Sequence, residues 1–195
     1  MSTESKQTRR ELSHQRILDA AARAVRRHGY AGVGVAEVMK EAGLTHGGFY
    51  AHFKSRDALL AAAVEHAGTG SRKALGRRIA ASLDAGASPL RALVEAYLSP
   101  EHVAAEDMGC PVAALGSEMV RQSEDVREAS RRRVLGLIET VRQALPPGAD
   151  PRQAAVIASS LVGTVQLARM LGDQAGALLQ AARTAILDQY DRTAS

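Results

Sequence analysis

Hydrophobic residues recur every three or four positions along most of the chain, as they do on one face of an α-helix. No segment of the sequence shows the strict alternation of a half-buried strand. Glycine and proline divide the pattern into separate helices, because neither residue continues a helix well. The predicted helices lie near residues 13–29, 35–42, 45–53, 55–83, 89–98, 110–121, 124–145, 151–171 and 173–190. The pattern therefore predicts an all-α fold.

The segment 35–60, VAEVMKEAGLTHGGFYAHFKSRDALL, reads as two short helices and the start of a third. Gly43 ends the first helix, since glycine most easily adopts the left-handed backbone found at helix C-termini. Thr45 is a good N-cap for the second helix, on which Phe49 and Phe53 share a face. The opposite face carries small residues and can press closely against another surface. This spacing predicts a helix-turn-helix.

The stretch AGLTHGGFYAHFKSRDALL, preceded by RILDAA at 16–21 and HGY at 28–30, resembles the DNA-binding domain of the tetracycline-repressor (TetR/AcrR) family. The detailed resemblance covers about the first third of the chain. GCPVAALGSE at 109–118 is similar to a stretch in one branch of that family's regulatory domains. The resemblance implies a three-helix helix-turn-helix domain at 1–55 with an N-terminal arm, followed by an α-helical effector-binding and dimerisation domain at 56–195.

The family's contacts with DNA can be carried over residue by residue. Base edges in the major groove would be faced by His46, Gly47, Gly48 and Ala51. Phosphates or the groove margin would be held by Thr45, Tyr50, His52, Lys54 and Arg56. The chain departs from the family pattern at Val33 and Gly34, where hydroxyl residues are usual. Direct readout would then rest on His46 and on apolar contacts, although His46 and His52 are also compatible with ordinary surface histidines.

Positive charge is concentrated at the helix-turn-helix end. Residues 1–56 contain ten Lys and Arg against five Asp and Glu, whereas residues 57–195 contain fifteen against sixteen. The net charge of +4 therefore comes from the N-terminal part, as expected where a protein neutralises phosphates. Residues 1–11 are polar and basic and are predicted to form a mobile arm, or simply an unstructured tail. Taken alone, such a charge excess is also typical of a solvated basic face.

The second domain is expected to hold a cavity between the helices that begin at Pro89, Cys110, Glu124 and Pro151. Its predicted lining is Leu93, Tyr97, Met108, Cys110, Leu115, Met119, Ile138 and Met170, with Gln166 or Arg169 as polar anchors. Each of the apolar residues is more often simple core. The expected effector is a small, mostly apolar molecule that favours a spacing of the two reading helices unsuited to successive grooves.

Cys110 is the chain's single cysteine, so an intramolecular disulfide is excluded. It is predicted to cap a helix whose first residue is Pro111, where the helix dipole stabilises a thiolate. An alternative function is therefore a sensor of oxidants or electrophiles that regulates transcription through Cys110. The opposing interpretation is a small buried hydrophobic residue.

The last two predicted helices are the expected dimer contact, because small residues let helices approach closely. The residues concerned are Ala155, Ser159, Gly163, Leu178, Ala182, Ala185 and Ile186. Two helices from each subunit would form a four-helix bundle, as the family resemblance also implies. A homodimer would place two reading units about 34–36 Å apart, which matches the half-sites of a palindromic operator in double-stranded DNA. Packing within one subunit is the alternative.

Other classes of function receive little support. An enzyme would have to use Cys110 and His102 without an orienting third group, so no catalytic residues are predicted. No metal site or cofactor is expected, since His102 and Glu106 alone do not make one. The polar N-terminus and the polar residues inside the longest apolar run indicate a cytoplasmic protein without a membrane partner. A non-specific architectural DNA binder remains a further alternative.

Overall fold

The structure, a computed structural model, describes residues 3–191, and it is helical without strands in that range. Among these residues, nine α-helices follow one another: α1 Thr3–His28, α2 Val35–Glu41, α3 Arg56–Asp84, α4 Pro89–Tyr97, α5 Pro100–Ala104, α6 Pro111–Met119, α7 Glu124–Ala144, α8 Gln153–Leu171 and α9 Ala175–Tyr190. A 3₁₀ helix at His46–Ala51 lies between α2 and α3, and another at Gly172–Gln174 joins α8 to α9. The predicted all-α class is confirmed.

Helix α1 begins at Thr3, ten residues before the start predicted at Ser13. Residues 3–11, expected to form a mobile arm, are therefore helical, while Met1 and Ser2 lie outside the described residues. This part of α1 contains few apolar residues, so hydrophobic periodicity could not reveal it. Its Gln, Arg and Glu residues are good helix formers, and the Gln7 amide donates a hydrogen bond to the Glu11 carboxylate one turn away.

Gly43 ends α2 as predicted, with a φ of +70°. Its N–H donates to the carbonyl of Lys40, and the N–H of Leu44 donates to the carbonyl of Met39, which together satisfy the end of the helix. The second helix of the motif differs from the expectation, because His46–Ala51 forms a 3₁₀ helix and Thr45 makes no side-chain cap. We refer to His46–Ala51 as the recognition segment.

Helix α3 runs unbroken for 29 residues from its cap at Ser55, whose hydroxyl accepts a hydrogen bond from the N–H of Ala58. Gly68 and Gly70 lie inside this helix without interrupting it. Gly68 instead provides room for another helix, since a Cβ at that position would collide with the side chain of Arg133 in α7. Because α3 packs against both α1 and α7, one rigid element belongs to both halves of the molecule.

Helices α4 to α9 form the larger layer, and α5 occupies part of the region expected to be a loop. Ser99 starts α5 by accepting a hydrogen bond from the N–H of His102, a cap that the sequence pattern did not reveal. One hydrophobic cluster extends from Ile17 in α1 to Leu187 in α9. By length and composition alone, Gln153–Tyr190 could cross a membrane. It is divided into α8 and α9, which pack on each other, and α8 also packs on α6 and α7.

Candidate nucleic-acid interface and internal cavity

The recognition segment is held from behind by two phenylalanines. Phe49 and Phe53 are buried, and their ring centroids lie 5.9 Å apart. The ring of His14 in α1 stacks on Phe53 at 4.8 Å, and the guanidinium of Arg10 donates to the carbonyl of Ala51 at 2.9 Å. Helix α1 therefore fixes both the back and the end of the recognition segment.

The face turned away from this core is open to solvent. Among the residues for which contacts with DNA are predicted, those with exposed side chains or backbone are Thr45, His46, Gly47, Tyr50, Ala51 and Lys54. Tyr50 is the most exposed of the aromatic residues, at 75%. A Cβ at Gly47 would meet nothing within 4 Å, so the glycine face leaves free space for another surface. Gly48 lies half-buried over Met39.

His52 and Arg56 lie differently from the other residues of the predicted set. His52 is half-buried beside His14, and its Nδ1 atom has no hydrogen-bond partner in the described part of the chain. Burial lowers the pKa of His52, and the nearby His14 and Arg10 lower it further. His52 is therefore a neutral group at the edge of the interface.

Arg56 has partners within the protein. Its Nε donates to the carbonyl of Val33 at 3.1 Å, and its Nη2 donates to the carbonyl of Tyr30. These bonds fasten the start of α3 to the turn between α1 and α2. These bonds give Arg56 a positioning role within the protein, and its contact with phosphate stays a prediction.

A small cavity of about 40 Å³ lies between α3, α4, α6 and α7. Tyr97 and Cys110 are the two members of the predicted pocket that line it. Sequence reasoning missed the remainder of the lining, which is Gly68, Ser71, Arg72, Leu75, Pro111, Val112, Arg133, Gly136, Leu137 and Thr140. Helix α3 thus supplies one wall of the cavity through Gly68, Ser71, Arg72 and Leu75.

The other predicted pocket residues do not line this cavity. Leu93, Leu115 and Met119 are buried in the core, and Ile138 packs half-buried against it. Met108 is half exposed, and Met170 is 86% exposed on the outer side of α8. Gln166 is exposed and donates to the carbonyl of Ala113, and Arg169 donates to that of Val103. The periodic pattern identified apolar positions without showing which helix faces bound a cavity.

Cys110 caps α6 without a side-chain hydrogen bond, and Pro111 is the first residue of that helix, as predicted. The backbone N–H of Cys110 donates to Nε2 of His102 at 3.1 Å, and Nδ1 of His102 lies 2.6 Å from the carbonyl of Tyr97. These two bonds require a neutral imidazole that carries its proton on Nδ1. Burial lowers the pKa of His102, which favours the same form.

Two contacts tie the cavity region to α1. The Arg26 guanidinium is buried and donates to the carbonyls of Ala67 and Gly109, at 3.3 and 3.5 Å. Burial lowers the pKa of Arg26 to about 10, so the group stays charged at neutral pH. The carboxylate of Glu118 in α6 accepts the N–H of Tyr30 at 3.0 Å. Any displacement of α6 would therefore be transmitted to α1, the helix that supports the recognition segment.

The outer faces of α8 and α9 carry most of the predicted dimer residues. Ala155, Ser159 and Ala185 are exposed, while Gly163, Leu178 and Ala182 are half-buried. Ile186 differs, because it is buried inside the subunit. Sequence reasoning missed the large apolar residues on the same outer side of α8, namely Val156, Leu167, Met170 and Leu171. Together they make an unusually apolar helix surface.

Residues 17–63 match the model of a family described as bacterial regulatory proteins, tetR family. Over 122 residues the chain is 32% identical to the HTH-type transcriptional regulator LmrA of Bacillus subtilis, an alignment covering 60% of this chain and 62% of LmrA. Over 132 residues it is 31% identical to the transcriptional regulator AcuR of Cereibacter sphaeroides, covering 66% of this chain and 57% of AcuR. The chain thus spans about three fifths of the length of these curated relatives.

The whole fold is similar to the crystal structure of reduced NemR from E. coli. The TM-score is 0.76, and the match covers 94% of this chain and 99% of the NemR chain. Because the two sequences are 20% identical, this likeness concerns the fold. The match at residues 17–63 and the related sequences make the chain similar to bacterial regulatory proteins of the tetR family.

Proposed function

We propose that the protein is a sequence-specific DNA-binding transcriptional regulator, a repressor that a small molecule releases from a palindromic operator. The observation that carries this proposal is the solvent-exposed face of the recognition segment, built over the buried Phe49 and Phe53 pair and fixed by α1. The excess of positive charge at the same end of the chain supplies the attraction to phosphates. Such a regulator works on DNA in the cytoplasm and needs no catalytic group.

Within this interface, different residues have different tasks. His46 is exposed at the start of the recognition segment and is the main side chain there that can hydrogen-bond to a base edge. Lys54 and Thr45 lie at its ends and suit phosphates. Gly47 and Ala51 allow close approach to the groove, where methyl groups of thymine and the shape of the duplex contribute to selection.

The relatives support the regulatory direction of the proposal. NemR of Escherichia coli, 29% identical over 128 residues, is described as an HTH-type transcriptional repressor. Release by an effector requires that the ligand bind one conformation better than another. The cavity beside α6, with Arg26 and Glu118 bridging to α1, provides a physical connection through which that difference would reach the recognition segments.

Selection of bound sequences from random double-stranded DNA, followed by competition with bulk DNA, tests the function. A specific regulator prefers one palindromic site by ~10³-fold or more, whereas a non-specific architectural binder shows no such preference. We expect His46→Ala to weaken binding to the selected site more than binding to bulk DNA. Lys54→Ala should lower both and reduce the salt dependence by about one counterion.

Lys73→Ala is the matched control, because Lys73 is exposed on α3 away from the recognition segment. It should leave both affinities unchanged. Equal losses on every sequence for His46→Ala would contradict a base-reading role for this residue. Failure to select any preferred sequence would overturn the proposed function as a whole.

A thiol sensor is the second candidate, because Cys110 lines the internal cavity at the start of α6. Covalent attachment of a group to its sulfur would occupy this small space and push on α6, which Glu118 links to α1. The same DNA-binding measurement, repeated after treatment with iodoacetamide and with Cys110→Ser as control, separates the candidates. Unchanged operator affinity of the alkylated wild type would remove the sensor role.

A further inference from the structure

The side chains that line the internal cavity include cationic hydrogen-bond donors. Two arginines, Arg72 and Arg133, line it, and none of its twelve lining residues is an Asp or Glu. The sequence-based expectation of a mostly apolar effector did not include either arginine. The lining instead combines cationic groups with the apolar side chains of Leu75, Val112 and Leu137.

Two donors at this cavity lack acceptors in the described part of the chain. Tyr97 is 1% exposed, and its hydroxyl has no hydrogen-bond partner among those residues. The Cys110 thiol beside this hydroxyl is only a weak hydrogen-bond acceptor. The buried Nε of Arg133 is likewise unpartnered, although its Nη2 forms an ion pair with Glu65 at 2.8 Å. Buried donors of this kind normally have acceptors, because a buried donor that makes no hydrogen bond costs folding free energy.

The backbone adds positive potential at the same place. Helix α6 starts at the cavity with Cys110, Pro111 and Val112, so its N-terminal dipole end faces the space bounded by Tyr97 and Arg133. Gly68 lets the Arg133 side chain cross α3 into this position, since any Cβ at Gly68 would collide with it. The position of Arg133 is therefore a built feature of the packing between α3 and α7.

We propose that this cavity binds a small organic anion, whose carboxylate-type head accepts hydrogen bonds from Arg133 and from the Tyr97 hydroxyl while its apolar part contacts Leu75, Val112 and Leu137. Arg72 at the same cavity adds a second cation. This inference deepens the proposed function by giving the effector a chemical class. The cavity of about 40 Å³ favours short molecules or expands around larger ones as α6 moves.

Calorimetric titration of the full-length protein with two matched pairs of compounds tests this inference without any DNA. The pairs are butyrate with butyramide and benzoate with benzamide, which differ in the charge of the head group and little in shape. We expect at least one carboxylate to bind about tenfold or more tightly than its amide, because hydrogen bonds to an ionised acceptor are stronger. Carboxylates that fail to bind at millimolar concentration, or that bind no better than the amides, overturn the proposal.

Two pairs of variants locate the binding. Tyr97→Phe removes an unpartnered hydroxyl, so it should leave the melting temperature unchanged or raised while weakening carboxylate binding about fivefold to tenfold. Tyr30→Phe is its control, because the buried Tyr30 hydroxyl is already bonded to Ser130 at 3.1 Å outside the cavity. It should lower the melting temperature and leave the affinity unchanged. If Tyr97→Phe lowers the melting temperature and keeps the affinity, while Tyr30→Phe weakens carboxylate binding, the proposed role of Tyr97 is refuted.

Arg133→Gln should weaken carboxylate binding by about tenfold or more. Arg132→Gln is matched to it, since Arg132 pairs with the same Glu65 at 2.6 Å but does not line the cavity. Equal affinities for these two variants would remove Arg133 from the site. A protein that selects an operator but does not distinguish carboxylates from amides disproves this inference alone. One that binds carboxylates but selects no operator disproves the regulatory function alone.

Discussion

His102 shows how one side chain can stabilise the junction next to the cavity only while it is uncharged. Its Nε2 accepts the N–H of Cys110, and its other nitrogen faces the carbonyl of Tyr97. A second proton would replace the accepted hydrogen bond with a clash between two donors. Burial lowers the pKa of His102, Tyr97's carbonyl opposes this, and Arg169 and Arg78 lower it further.

We therefore expect the free energy of unfolding to fall as the pH drops below about 6.5. The folded-state pKa lies below that of the unfolded chain, so the unfolded chain binds the extra proton first and is stabilised by it. Above about 6.5 both forms are neutral and this histidine contributes no pH dependence. His102→Gln can keep both hydrogen bonds without titrating, and it should flatten the decrease measured by urea unfolding between pH 7 and 5.

His28→Gln is the control for that measurement, because His28 is exposed at the end of α1. This variant should show the same decrease in the free energy of unfolding between pH 7 and 5 as the wild type. His52 also contributes in the same direction, so His102→Gln is expected to reduce the slope without abolishing it. An unchanged slope for His102→Gln would show that the imidazole does not titrate as its surroundings require.

At the level of single residues, much of the local chemistry was predictable, although Thr45 does not cap as expected, and long-range partners were not. The positive φ of Gly43, the cap formed by Ser55 and the burial of Phe49 and Phe53 all follow from neighbouring residues in the sequence. The partners of Arg56 and Arg133 lie 23 and 68 residues away, so no spacing rule could identify them. This is why the partners of Arg56 within the protein and the place of Arg133 at the cavity were not predicted.

Helix termini connect the two halves of the molecule at the element scale. Helix α1 ends at His28 and is followed by Gly29, whose φ is +68°. The N–H of the next residue, Tyr30, donates a hydrogen bond to the Glu118 carboxylate of α6. A Cβ at Gly29 would lie 2.5 Å from a carboxylate oxygen of Glu118. The Glu118 side chain of α6 thus binds the backbone directly after the end of α1.

Gly29→Ala should destabilise the protein by about 1–2 kcal/mol, because it adds backbone strain and displaces the Glu118 carboxylate. Gly86→Ala separates these causes, since Gly86 has a φ of +89° and a Cβ there would meet nothing within 4 Å. It should cost about 1 kcal/mol from strain alone. Thermal unfolding of both variants measures the two losses of stability. Equal losses would mean that the Glu118 carboxylate moves aside without a cost in free energy.

The elements themselves were largely predictable, whereas their junctions were not. Helices α6 to α9 lie close to their predicted positions, because proline and glycine mark the ends of strongly amphipathic segments. The first residues of α1 and the short α5 were missed, since neither has a long apolar stripe. The need for Gly68 in α3 arises from packing against Arg133 of α7, which the sequence pattern does not show.

At the scale of the whole molecule, the hydrophobic core is continuous from α1 to α9, yet an apolar surface on α8 remains uncovered. On α8, Val156 is 54% exposed and Leu167 58% exposed, and Gly163 lies between them on the same side. Small exposed residues of α9, such as Ala181 and Ala185, continue this surface. A second copy of the chain packed across α8 and α9 would bury it and make a four-helix bundle.

Gly163 provides a sharp test of that dimer, because a Cβ at this position would meet nothing within 4 Å in the single subunit. Gly163→Leu should therefore not destabilise the isolated fold, but should obstruct close approach of a second α8 and raise the dimer dissociation constant about tenfold or more. Gly76→Leu is the matched control, as Gly76 is an exposed glycine of α3 with equally free space. Sedimentation equilibrium over a range of concentrations measures both. If Gly163→Leu dimerises as readily as Gly76→Leu, then the subunits associate through another surface, and the two recognition segments would be held at a spacing unrelated to α8.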